Sequence, residues 1–190
     1  MSKSSSRLSL AGVLLAIAAL PTAATAQYQL PVLVSSVKAD SLHEAAVAYV
    51  AAHRWRDAAR LHRQSADLRA PDDPLAFRCL SDAAALAYAV NDRTGARNDM
   101  AEAAGQALAR GDLSSAAQAY LDAAWIAQEQ KNPRQVWELG HRAELLAASP
   151  LLAEPDRMAI LQRISKAPLA MREAMRAGPG VGVGTTRTGS

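Results

Sequence analysis

The chain has 190 residues, half of them hydrophobic by type but only 4% aromatic, with a formal charge of +3. That length suits one domain of ordinary size, and so small a net charge exerts little long-range pull on phosphates, which argues against nucleic acid as a partner. Cys79 is the only cysteine, so no disulfide forms within the chain and stability must come from packing.

The first 26 residues read as an address. Lys3 and Arg7 make a positive head, Leu8–Leu20 is an apolar run, and Ala24 and Ala26 supply small residues before Gln27. This is the pattern of a secretory signal peptide cleaved after Ala26, which implies an exported, periplasmic or extracellular protein. A membrane span needs about 20 apolar residues. The 13-residue run is shorter, so no stable membrane insertion is expected after cleavage; an uncleaved N-terminal anchor is the alternative. Loss of Lys3 and Arg7 leaves 19 basic against 18 acidic residues.

Residues 27–38 contain Val32, Leu33 and Val34 after Pro31 and are expected to run extended into the first helix. From residue 39 to residue 166 strong helix formers dominate, above all alanine and leucine. Punctuation at His53, Ala70–Pro74, Asn91, Gly111, Lys131 and Ser149 divides this stretch into six helices and a shorter one over Asp156–Ile164. Asp73, Asp112 and Asn132 suit N-caps, and Pro74 and Pro133 suit a first helical turn. Residues 167–190 comprise a short helix from Leu169 and a glycine-rich tail, expected to be disordered. The tail follows no strand and opens no helix, so it is not read as a phosphate loop.

The helices share a register. Counting from Gly111, positions five, nine and twelve are Ala116, Tyr120 and Ala123; from Asn91 they are Ala96, Met100 and Ala103. From His53 they are Ala58, His62 and Ser65, and from Lys131 they are Val136, Gly140 and Ala143. Small residues at the outer two places let helix backbones approach closely while the middle one fills the gap, as stacked hairpins require.

The segments "YVAAHRWRDAARLHRQSADL" (Tyr49–Leu68) and "ARGDLSSAAQAYLDAA" (Ala109–Ala124) resemble the tetratricopeptide repeat (TPR) pattern. Trp55 and Leu113 match the large residue of the turn, Ala58 and Ala116 the alanine after it, and Tyr120 and Ala123 the later positions. Ala46 stands for the small residue of the preceding helix. The hairpins recur at about 38–40 residues, where the family has 34. The expected fold is therefore all-α: a TPR-like α-solenoid of about three antiparallel hairpins plus a short C-terminal helix. A plain helical bundle with a structural role in the envelope is the main alternative.

The resemblance implies a concave groove lined by the first helix of each pair. With Ala39–Ala52, Leu75–Val90 and Ala116–Gln130 in that part, His43, Val47, Arg78, Ser81, Tyr88, Leu121, Trp125 and Gln128 face inward, toward a protein or peptide partner. A second candidate is the basic stripe Arg56, Arg60 and Arg63, one face of the second helix, which would suit an anionic partner. Catalytic and metal signals are weak. No two of His43, His53, His62 and His141 stand three or four residues apart, no H-E-x-x-H or G-x-S-x-G occurs, and nothing selects a pair of carboxylates. Cys79 reads as a small buried hydrophobe, and Trp55 and Trp137 as packing residues. The expected role is a non-catalytic scaffold in the cell envelope without metal or cofactor; an enzyme or small-ligand binder with a pocket lined by His43, Tyr88 or Arg78 is the remaining reading.

Overall fold

The computed structural model describes the backbone of residues 22–178, with side chains from residue 35 onward. Among these residues there are eight helices and no strand: α1 (Thr22–Ala51), α2 (Trp55–Asp67), α3 (Pro74–Ala89), α4 (Arg93–Ala109), α5 (Leu113–Glu129), α6 (Pro133–Ala147), α7 (Glu154–Lys166) and α8 (Leu169–Ala177). From α1 to α6 each helix packs mainly on the helices before and after it in the chain, a helical solenoid-like arrangement. The short helices α7 and α8 fold back against α5 and α6 and close the C-terminal end.

One turn recurs four times. His53, Asn91, Gly111 and Lys131 all adopt positive φ, between 55° and 75°. The next residue's N–H then donates to the carbonyl five positions back: Arg54 to Tyr49, Asp92 to Ala87, Asp112 to Ala107 and Asn132 to Ala127, at 2.8–3.0 Å. These bonds satisfy carbonyls at the end of one helix. At three of the four turns the same residue caps the following helix. Asp92 accepts from Gly95 N–H, Asp112 from Ser115 and Asn132 from Gln135. Stop and start are thus fused into two residues, and the chain reverses sharply. Gly111 takes the left-handed conformation without the steric cost that a Cβ adds.

The α2–α3 connection is longer and is held differently. Arg69, nearly buried, reaches Asp40 of α1 at 2.7 Å and Asp73 at 2.9 Å, while Asp73 also accepts from Leu75 N–H to cap α3.

The seam between helices is built from small residues. Each of α1 to α6 carries two residues seven positions apart that are fully buried: Ala39/Ala46, Ala58/Ser65, Ala76/Ala83, Ala96/Ala103, Ala116/Ala123 and Val136/Ala143. Seven residues are two helical turns, so each pair shares a face. The helix in the middle of the C-terminal half, α5, is buried nearly all round, including Ala117, Tyr120, Leu121, Ala124 and Ala127. The largest core joins it to Val136, Leu139 and Ala143 of α6, Ile160 of α7, and Met171 and Met175 of α8.

The stretch 27–38 is not extended; it lies within α1. Strand preference is weak and context-dependent, and here the chain from residue 35 docks on α2. The Ser35 hydroxyl donates to Leu68 O, and Ser65 on α2 donates to Ala39 O. The leader over residues 1–26 falls mostly outside the described residues, as does the glycine-rich tail after Gly178.

Gly140 tests the packing at the closing end. A Cβ there would lie 2.6 Å from Met175 Cγ, so α8 approaches α6 because this position is glycine. Gly105 on α4 has nothing within 4 Å of a Cβ. Helix propensity alone favours alanine over glycine by about 1 kcal/mol. Gly105→Ala should therefore raise the melting temperature by about 2–4 °C. Gly140→Ala should lower it, since overpacking costs about 1–3 kcal/mol. A rise in both variants by thermal denaturation would mean that α8 does not seat on Gly140.

Candidate functional site

Of the residues expected on the inner face, Tyr88, Leu121 and Trp125 come together. Trp125 is 44% exposed, unusually open for an indole, on the helix that is otherwise most buried. It stands between two cavities. One, of about 300 Å³, is lined by Ala84, Ala85, Tyr88, Asp122, Trp125 and Ile126, with Met100 beneath. The other, of about 290 Å³, is lined by Leu121, Trp125, Arg163, Lys166, Ala167 and Met171. Asp122 and Arg163, one from each cavity, form an ion pair at 2.5 Å that ties α5 to α7.

The far wall is fixed by Tyr88. Its hydroxyl donates to Glu129 Oε1 at 2.7 Å, and the Arg93 guanidinium lies 3.5 Å from its ring centroid while pairing with Glu129. The Glu129 carboxylate beside it raises the phenol above its ordinary pKa. The face drawn from α3, α5, α7 and α8 can thus hold two apolar side chains flanking an indole, with Arg163 and Lys166 at one rim.

The other expected residues do other things. Val47 and Arg78 are exposed but line neither cavity, and Gln128 is half-buried. Ser81 donates to Phe77 O at 2.9 Å, within its own helix. His43 turns toward the interior, where its Nδ1 lies 3.5 Å from Cys79 Sγ.

The basic stripe of α2 is dismantled at its end. Arg63 makes a two-oxygen hydrogen bond to Asp99 on α4, at 2.7 and 2.8 Å, and Asp92 and Glu102 add to the negative field around it. Its charge is already matched, so an anion gains little there. Arg60 is exposed, 3.7 Å from Asp57, and Arg56 lines a shallow cleft with His53, Trp55 and Val90. Trp137 stacks on His141 at 5.5 Å, in keeping with a packing role.

A second constellation escaped the sequence reading. His43 of α1, His62 of α2 and Cys79 of α3 converge, with one potential ligand atom from each within 4.8 Å of the others. The two imidazoles are tilted at 59° with centroids 5.3 Å apart. His62 and Cys79 are buried, and His43 is half-buried. Burial holds the His62 imidazole below its ordinary pKa, with Asp82 opposing and His43 reinforcing that shift. A search for histidines three or four residues apart misses such a group, because each residue comes from a different helix. A signal was nevertheless present: His62 and Ser65 occupy register positions that hold Met100 and Ala103, or Tyr120 and Ala123, in other helices.

The chain matches no protein-family model, no curated protein and no solved structure. The fold belongs to one class of architecture, a solenoid-like stack of α-hairpins closed by two short helices.

The Arg63–Asp99 link yields an asymmetric expectation. The Arg63 side chain keeps 34% of its exposure and the Asp99 side chain 7%. Removing Arg63 strands a buried carboxylate, whereas removing Asp99 leaves a guanidinium that still reaches water. Arg63→Met should cost about 2–3 kcal/mol and Asp99→Ala about 1 kcal/mol, with the double variant well short of the sum. Urea denaturation midpoints would measure this, and equal, additive losses would show that the pair is not coupled.

Proposed function

We propose that the protein is a non-catalytic helical-repeat scaffold that holds an extended peptide or a partner helix against the face formed by α3, α5 and α7. The reading rests on one observation: Trp125 is left 44% exposed between two adjoining cavities on an otherwise buried helix. Tryptophan beside small apolar pockets is a favoured anchor for partner side chains, since its large area desolvates at little entropic cost. Lys166 at the rim favours a partner with an acidic residue next to one of its apolar anchors, Arg163 being already paired with Asp122. The leader pattern of the first 26 residues supports action in the cell envelope, and the two-residue turns support a resemblance to TPR-type hairpins.

The test is capture of partners from an envelope extract by the purified protein, by Trp125→Ala and by Arg60→Glu, followed by affinity measurement on whatever is retained. Trp125→Ala should weaken binding by tenfold or more, the range of an interface anchor. Arg60→Glu should leave it unchanged. Binding that survives Trp125→Ala but fails with Arg60→Glu would move the docking surface to α2 and refute the proposal.

A further inference from the structure

The first hairpin departs from the apolar register of the others. Where α4, α5 and α6 place Met100, Tyr120 and Gly140, α2 places His62; where they place alanine, it places Ser65. Polar groups at seam positions cost desolvation unless they are satisfied. Ser65 is satisfied: its hydroxyl donates to Ala39 O at 2.7 Å and stands 3.6 Å from Cys79 Sγ, as acceptor of the thiol proton. His62 is not. It is 2% exposed, and its Nδ1 is buried without a hydrogen-bond partner. A buried nitrogen without a partner carries its desolvation cost, which a bound group could offset.

The His62 ring faces His43 of α1 and lies near Cys79 of α3, and a cation held by the three would give it a partner. The cluster offers one sulfur and two imidazole nitrogens, a donor set that thiophilic ions prefer and that hard cations such as magnesium or calcium do not. Ligand atoms about 2.0–2.3 Å from a central ion lie roughly 3.5–4 Å from one another. His43 Nδ1 and Cys79 Sγ already stand at 3.5 Å, and every separation in the cluster is 4.8 Å or less, so closure needs a side-chain shift of about 1 Å. Coordination number and charge narrow the choice. Zinc takes four ligands, so on three protein donors it must also hold a water, whereas copper(I) is satisfied by the three that converge here among the described residues. One thiolate with two neutral imidazoles balances the charge of a monovalent ion, which removes the penalty of burying net charge.

We propose that His43, His62 and Cys79 form a three-coordinate binding site for copper(I). Binding replaces the thiol S–H with an S–Cu bond and releases one proton to solvent. The ion enters and leaves as copper(I), so no electron is transferred. His43, the half-buried member, forms the entry side, and the three ligands tie α1, α2 and α3 together at the N-terminal end of the stack.

The experiment uses untagged, reduced protein titrated anaerobically with copper(I) in competition with a chromophoric copper(I) chelator, and separately with zinc(II). Native mass spectrometry gives stoichiometry and thermal denaturation gives linkage to the fold. One copper(I) per chain, near-ultraviolet thiolate-to-copper absorption and a raised melting temperature are expected. Cys79→Ser should abolish the absorption, and His43→Gln, at a half-buried position, should weaken binding at least 100-fold while the apo protein stays folded by circular dichroism. Trp125→Ala should bind copper as the parent does, which separates this site from the docking face. Absence of 1:1 uptake, or uptake unaffected by His43→Gln, overturns the proposal; tighter binding of zinc(II) overturns the copper assignment.

Discussion

The structure depends on how closely consecutive helices can approach. Ten of the twelve fully buried seam positions in α1 to α6 are alanine, the exceptions being Ser65 and Val136. With nothing larger than a methyl group at most of these points, backbones draw together along a two-turn stripe on every helix. The price in apolar area is considerable, because an alanine buries little. The recurring turn offsets it by making the geometry nearly obligatory. A left-handed residue, a six-to-one hydrogen bond and, at most turns, an Asp or Asn cap leave the next helix little choice of direction. Local geometry and seam composition therefore specify the same stack, the agreement between levels expected of a foldable sequence.

That economy explains where larger side chains are found. Leucine, isoleucine, tyrosine and methionine concentrate around α5, where α7 and α8 fold back and supply Ile160, Met171 and Met175. Gly140 is part of the same arrangement, its missing side chain replaced by Met175 from another helix. Trp125 stands at the edge of this region, with too little neighbouring bulk to cover it, and that is why two small cavities open beside it. At the opposite end the first hairpin has no such apolar reserve: it carries imidazole and hydroxyl groups in its interior, facing the Cys79 thiol of α3. The two candidate sites thus follow from the uneven supply of large residues along one regular framework.

The helical framework was legible because its signals are local. Turn residues at His53, Asn91, Gly111 and Lys131, caps at Asp112 and Asn132, and alanines in fixed register each act within a few positions of themselves. The lead-in 27–38 was misread for the converse reason: its β-branched residues speak weakly, and docking on α2 takes over from residue 35. Surface chemistry was less legible still. Helical spacing puts Arg56, Arg60 and Arg63 on one face, but only the fold reveals that Arg63 meets Asp99 from 36 residues away. His43, His62 and Cys79 are similarly remote in sequence. Their convergence shows in one dimension only as polar residues at seam positions, which is a mark of exception without a mark of purpose.

Equal register should mean equal crowding, and leucine substitution along the seam measures that directly. Ala58→Leu, Ala96→Leu and Ala116→Leu should each lower stability by about 1–3 kcal/mol in chemical denaturation, the cost of forcing extra methylenes into a close-packed contact. Leucine at the exposed Ala85, Ala109 or Ala148 should change it by less than about 0.5 kcal/mol. Free acceptance of leucine at two of the three seam positions would contradict the stack, because helices held apart by larger neighbours would have room to spare.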